Sequence, residues 1–252
     1  MKDTKFLFGL FIILIIFLFN NDIKYVFYLS IQQKQSTQID ETLDYDTSCA
    51  EEVIVLPHNF TIVYESFKSY NPYIDSASAI SFANVANCYG ISDNETLKWS
   101  LAQILLESGA KQYYQPTHPK EGELVVSSAG AIGFTQILPS TALGYMIKKV
   151  SSDDVECFNE LGATDFSFAY KKDCSKSDKI ILTKEWLKDE NNNIIMWGKI
   201  MSLELESKPI LDALISYNAG SLGWKRYLNA GNIQEEHDYI KGIRVRFKYI
   251  DV

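Results

Sequence analysis

Ser128-Ala129-Gly130-Ala131-Ile132-Gly133-Phe134-Thr135-Gln136-Ile137-Leu138-Pro139-Ser140-Thr141-Ala142 reads as a small-residue turn that opens a helix. Gly130 and Gly133 let backbone approach a ligand closely, and Pro139 suits a first helical position. Gln136 carries an amide that can donate and accept hydrogen bonds. Alone, the stretch reads equally well as a tight helix-loop-helix corner with Gln136 at the surface. Its flanks add a second meaning. Upstream, Leu105-Leu106-Glu107-Ser108-Gly109 puts a carboxyl group at the end of an apolar helix. Downstream, Ala213-Leu214-Ile215-Ser216-Tyr217-Asn218-Ala219-Gly220 puts a Tyr-Asn pair at the end of another, with Gly220 closing it. Taken together, the three segments look like a wall of a sugar cleft with a single acid in it.

The helix that ends at Glu107 has a start signal, Ser92 at the cap and Glu95 three positions later. Leu97, Leu101, Ile104 and Leu105 recur at three- and four-residue steps, the mark of a helix packed on a core. Glu107 continues the face of Leu101 and Ile104. A carboxylic acid can give up a proton near neutral pH only when apolar burial raises its pKa. A Glu at a helix end is ordinarily solvated, and a Tyr such as Tyr217 is ordinarily a core residue. Only the company of the other segments singles them out.

Helical spacing predicts further helices over residues 76–88, 139–150, 183–190, 193–206, 209–217 and 234–244. The only strand signal is at 123–126. Pro116, Pro119 and Gly122 mark residues 110–127 as a loop, and the polar run 151–180 reads as a surface insertion. The fold class is therefore mainly α. With 46% hydrophobic and 22% charged residues the composition is that of a globular protein. A net charge of −8 without a basic stripe excludes a nucleic-acid partner, which would need clustered Lys and Arg.

Residues 1–31 read as a signal or membrane anchor. Lys2 and Lys5 precede 14 uncharged residues, 6–19. As a helix these span roughly 21 Å, short of a hydrocarbon core of about 30 Å. The length suits a secretion signal, but Asn20-Asn21-Asp22-Ile23-Lys24 offers no small-x-small cleavage site. A second apolar patch at 25–31 extends the stretch, which favours an uncleaved anchor over a cleaved signal or a buried core helix. The two lysines then stay cytoplasmic and the remainder is exported. Residues 32–50 form a polar linker, and 51–252 the folded domain.

Cys49, Cys88, Cys157 and Cys174 lack Cys-x-x-Cys spacing and do not read as a metal site. Two readings stay open. Outside the cytoplasm, Cys157 with Cys174 would close a local loop and Cys49 with Cys88 would tie linker to domain; otherwise all four are free buried thiols. His58, His118 and His237 are too scattered to form a ligand cluster. No metal or cofactor is expected.

The ordered motifs resemble the lytic transglycosylases of the soluble type, glycoside hydrolase family twenty-three. The family pattern is Glu-Ser, a serine before Gly-Ala-x-Gly-x-x-Gln-x-x-Pro-x-Thr-Ala, then Tyr-Asn-Ala-Gly, then Glu-x-x-x-Tyr-Val. Here these are Glu107-Ser108; Ser128 before Gly130-Ala131-Ile132-Gly133 through Gln136 to Pro139-Ser140-Thr141-Ala142; Tyr217-Asn218-Ala219-Gly220; and Glu235 with Tyr239-Ile240. Asn193-Ile194 matches a family Asn-Ile that opens the helix before the Tyr-Asn motif. The likeness covers about residues 95–245, with insertions near 110–127 and 151–180.

That resemblance implies a goose-lysozyme-like helical domain behind the N-terminal membrane-anchor helix. It implies that Glu107 is the single catalytic acid and base on peptidoglycan. Glu107 would protonate the oxygen between N-acetylmuramic acid and N-acetylglucosamine, then take the proton of the muramyl 6-hydroxyl as that oxygen closes a 1,6-anhydro ring. No second carboxylate is needed, unlike the usual two-carboxylate scheme. By the same analogy Ser108, Ser128, Gln136, Tyr217 and Asn218 line the sugar sites, while Glu235 and Tyr239 border the cleft. The expected partners are glycan strands, the membrane and an envelope-spanning machine. The alternatives are a hydrolytic muramidase and a non-catalytic peptidoglycan-binding scaffold. The chain departs from the family in three places. From Glu107 to Ser128 it is longer by roughly a dozen residues, which loop closure tolerates. Tyr113, Tyr114 and His118 of that loop are expected over the cleft. Phe134-Thr135 replaces Leu-Met, and Gly109-Ala110-Lys111-Gln112 replaces aromatic-Asn-Pro.

Overall fold

The computed structural model describes residues 56–149 and 158–250. The anchor, the linker, Cys49 and Cys157 fall outside them. Residues 56–74 and 78–250 belong to one compact unit, which holds the helical core. In chain order the helices are α1 (Phe60–Tyr70), α2 (Ser76–Cys88), α3 (Asn94–Glu107), α4 (Pro139–Lys149), α5 (Lys176–Trp186), α6 (Glu190–Leu205), α7 (Ile210–Asn229) and α8 (Asp238–Arg244). Single 3-10 turns lie at Ser167–Tyr170, Gln234–Glu236 and Phe247–Tyr249. The described residues are mainly α and contain only isolated bridges, among them Val126 with Ile132. No described helix is long and apolar enough to cross a membrane.

Two helices are buried along most of their length. In α3, Leu97 and every residue from Trp99 to Leu105 are buried; in α6, every residue from Asn192 to Met201 is. A helix buried all round belongs at the centre of a domain. Aromatic side chains join the layers around them. Phe67 of α1 meets Phe82 of α2 edge-on at 5.2 Å and Phe134 at 5.5 Å, and Phe82 stacks on Trp197 of α6 at 4.5 Å. Each such side chain contributes roughly 1.5–3 kcal/mol through its burial. Trp197 also donates its indole N–H to Gln103 of α3 at 3.1 Å, so the two central helices share a buried hydrogen bond. Gly198 lets α2 pack closely on α6: a Cβ there would lie 2.4 Å from Val85.

Several boundaries differ from the sequence reading. Asp93, not Ser92, caps α3, accepting from the Thr96 amide at 3.0 Å. The helix expected over 183–190 is instead the end of α5 and the start of α6. Ser175 caps α5 and Asp189 caps α6, and those caps divide the chain there. The helix expected over 209–217 runs on to Asn229, because Gly220 (φ 71°, ψ 158°) turns the chain and a second helical stretch follows at once. The 234–244 helix splits into a 3-10 turn and α8, whose cap is the His237 ring accepting from the Tyr239 amide. The strand at 123–126 is absent.

The 151–180 segment is not wholly a surface insertion. Phe158 is fully buried and packs edge-on against Phe166 at 5.1 Å. The four free thiols are also overturned. Cys88 is disulfide-bonded to a partner outside the described residues. Cys174 is free, which removes the Cys157–Cys174 loop.

Candidate active site

Three pieces of chain converge beyond the end of α3: the corner 127–138, α4 and the middle of α7. They enclose a cleft of about 590 Å³, within the range of small-ligand sites. Glu107, Ser127, Gln136, Tyr145, Ser216, Tyr217 and Asn218 are among its polar lining, with Ile137, Leu138 and Ile200 among the apolar part. Among the described residues, Glu107 is the only carboxylate that lines it.

Buried hydrogen bonds hold the corner in place. Asn193 of α6 donates to the Ile132 carbonyl at 3.0 Å and accepts from both the amide and the hydroxyl of Thr135 at 2.8 Å. Gln112 accepts from the Phe134 amide at 2.7 Å and donates to the Lys188 carbonyl at 2.8 Å. Ser108 donates to the Phe134 carbonyl at 2.5 Å. Tyr217 donates to the Thr135 carbonyl at 2.7 Å, which ties α7 to the corner. A buried side chain that satisfies several backbone groups is costly to remove, because each orphaned group loses a partner without regaining water. Gln136 sits at positive φ (54°), and its amide nitrogen donates to the Gly133 carbonyl at 2.8 Å and to the Val125 carbonyl at 3.3 Å. With both amide protons engaged, its remaining offer to a ligand is an acceptor.

Glu107, the last residue of α3, is mostly shielded from water. Burial raises its pKa to about 7, although a hydrogen bond from the Tyr239 hydroxyl pulls the other way. Tyr239 and Tyr217 are themselves pushed well above the usual tyrosine range, first by burial and then by the Glu107 charge. Both phenols therefore remain protonated donors. The arrangement can give and retake a proton near neutral pH inside a polar, partly closed cleft.

Of the residues expected at the site, Glu107, Gln136, Tyr217 and Asn218 line the cleft together, and Tyr239 contacts the acid directly. Ser108 does not line it; its hydroxyl is turned into the fold as a staple. Ser128 is exposed, and its neighbour Ser127 faces the cleft instead, accepting from the Ala131 amide at 3.0 Å. Glu235 is exposed and outside the lining. Tyr113, Tyr114 and His118 do not sit over the cleft. Tyr113 donates to the Lys188 carbonyl, and Tyr114 stacks on His118 at 4.2 Å.

Sequence reasoning missed Tyr145, Ser216 and the buried Glu204. Glu204 lies at helical steps from Trp197 and Ile200, a spacing that places it on the buried face of α6 despite its charge. Among the described residues, no group of three or more His, Cys, Asp or Glu could hold a metal ion. Comparison with protein-family models, curated proteins and solved structures finds no match to this chain.

Proposed function

We propose that the protein is a lytic transglycosylase that cleaves the β-1,4 bond between N-acetylmuramic acid and N-acetylglucosamine in peptidoglycan and leaves 1,6-anhydro-muramyl ends. The observation that carries the reading is the lone, water-shielded Glu107 with its pKa near 7 in a cleft rich in hydroxyl and amide groups. The protonated carboxyl gives its proton to the leaving oxygen as the C1–O4 bond breaks. The resulting carboxylate takes the proton of the muramyl 6-hydroxyl as the C1–O6 bond forms. The acid is restored, and no water is consumed. A water-based route would call for a second carboxylate to direct the water, and among the described residues none lines the cleft.

The same reading gives the domain a lysozyme-like fold of the goose type. It also puts the domain outside the cytoplasm, behind its N-terminal anchor, where glycan strands and an envelope-spanning machine are its partners. The disulfide at Cys88 supports an oxidising compartment. Mass spectrometry of digested sacculi tests the reaction. Anhydro-muramyl products are expected; reducing muramyl ends would show a hydrolase, and intact sacculi a scaffold.

Tyr239→Phe gives a finer test. Its hydroxyl lowers the pKa of Glu107, so without it the carboxyl holds its proton to higher pH. The first step needs that proton, and activity falls as pH rises past about 7. The alkaline limb of the pH–rate profile is expected to move to higher pH in Tyr239→Phe, and an unmoved limb would break the link between the two residues.

A further inference from the structure

A second carboxylate lies behind the cleft wall. Glu204 of α6 is buried and does not line the cleft, but Tyr145, which does, is bonded to it. The Tyr145 hydroxyl donates to one carboxylate oxygen at 2.7 Å. The other oxygen holds the ammonium of Lys208, which is nearly as buried and lies 4.8 Å over the Trp224 ring.

Burial alone would push the Glu204 pKa up. The ammonium of Lys208 and the hydroxyl of Tyr145 counter it, and the pKa is held below the usual carboxylate value. An ionised carboxylate has no hydrogen to give. The Tyr145 proton must therefore point back at Glu204, and this oxygen can turn only lone pairs toward the cleft.

We propose that Glu204 is a positioning residue that turns the Tyr145 hydroxyl into a fixed acceptor, forming a subsite for an O–H or N–H group of a bound saccharide. This rests on the glycan reading of the cleft. A neutral partner in place of Glu204 would let that hydroxyl rotate its proton into the cleft and would blur that selection.

The test is calorimetric titration of the full chain, carrying Glu107→Gln to stop turnover, with a β-1,4 tetramer of N-acetylglucosamine. Tyr145→Phe is expected to weaken binding about tenfold while thermal unfolding stays within a few degrees. Glu204→Gln is expected to weaken it comparably, yet to add less than about twofold in the Tyr145→Phe background, since it acts through that hydroxyl. Full additivity would show that Glu204 acts by general disruption and overturn the proposal. Unchanged binding in Tyr145→Phe overturns it as well, even if Glu204→Gln does not fold. Absence of binding by the parent protein would remove the glycan reading and this subsite with it, an outcome distinct from the loss of the subsite alone.

Discussion

Glu107→Gln is expected to lower the release of anhydro-muropeptides about a thousandfold or more, because the amide can neither give nor retake a proton. The same substitution should stabilise the fold at neutral and alkaline pH. The native carboxyl holds its proton to about pH 7, whereas in the unfolded chain it ionises near 4.5. Between those values the native state binds more protons than the unfolded state, so wild-type stability falls as pH rises and levels off above about 7. A shift of that size corresponds to roughly 3 kcal/mol at most. Glu107→Gln carries no such penalty, so its advantage should be absent below pH 4.5, grow to about pH 7 and then stay constant. Urea titrations from pH 4 to 8 would show this. A variant that is inactive but not stabilised at pH 8 would mean that the carboxyl is not the shielded group described here.

Gly133→Ala is expected to be the most damaging single methyl addition at the corner. Gly133 has φ +72°, and a Cβ there would lie 2.2 Å from the Gln112 side-chain oxygen. Gln112 is buried and cannot retreat without giving up its bonds to Phe134, Leu187 and Lys188. Left-handed backbone costs a residue with a Cβ about 1–2 kcal/mol, and overpacking adds about 1–3 kcal/mol. Together they should lower Tm by about 10 °C in a domain of this size. Gly130→Ala is the control. Its φ is +84°, but nothing lies within 4 Å of the added methyl. Its loss should be confined to backbone strain, and equal losses at both positions would exclude the Gln112 clash. Because the corner also carries Gln136, saccharide binding should fall with stability in Gly133→Ala only.

The comparison of these two glycines shows what the chain states openly and what it conceals. Both read as turn residues in the sequence. Only the packed structure reveals that one of them faces Gln112, which comes from an inserted loop and gives no local signal. The same holds for the helices. Leu97, Leu101, Ile104 and Leu105 announce α3 by their spacing, and Glu107 follows from their face. The start of α5 is harder to see, because Ser175 and Asp178 form a polar cap that resembles the loop before it. At the site, Glu107, Gln136, Tyr217 and Tyr239 were legible because each sits in a compact motif. Ser127 and Ser128 were not separable, since neighbouring residues in a turn point in different directions. Tyr145 and Glu204 are brought together across 59 residues by a single side-chain hydrogen bond between α4 and α6, a pairing that periodicity does not encode.

The placement of the acid on the last residue of α3 has a further electrical effect. A helix carries partial negative charge at its carboxyl end, where the final carbonyls lack amide partners. The last turn of α3 contains no basic side chain to offset it. The peptide dipoles of the central helix thus oppose ionisation at position 107, so moving the same Glu to the opening turn would turn a proton store into an ordinary anion.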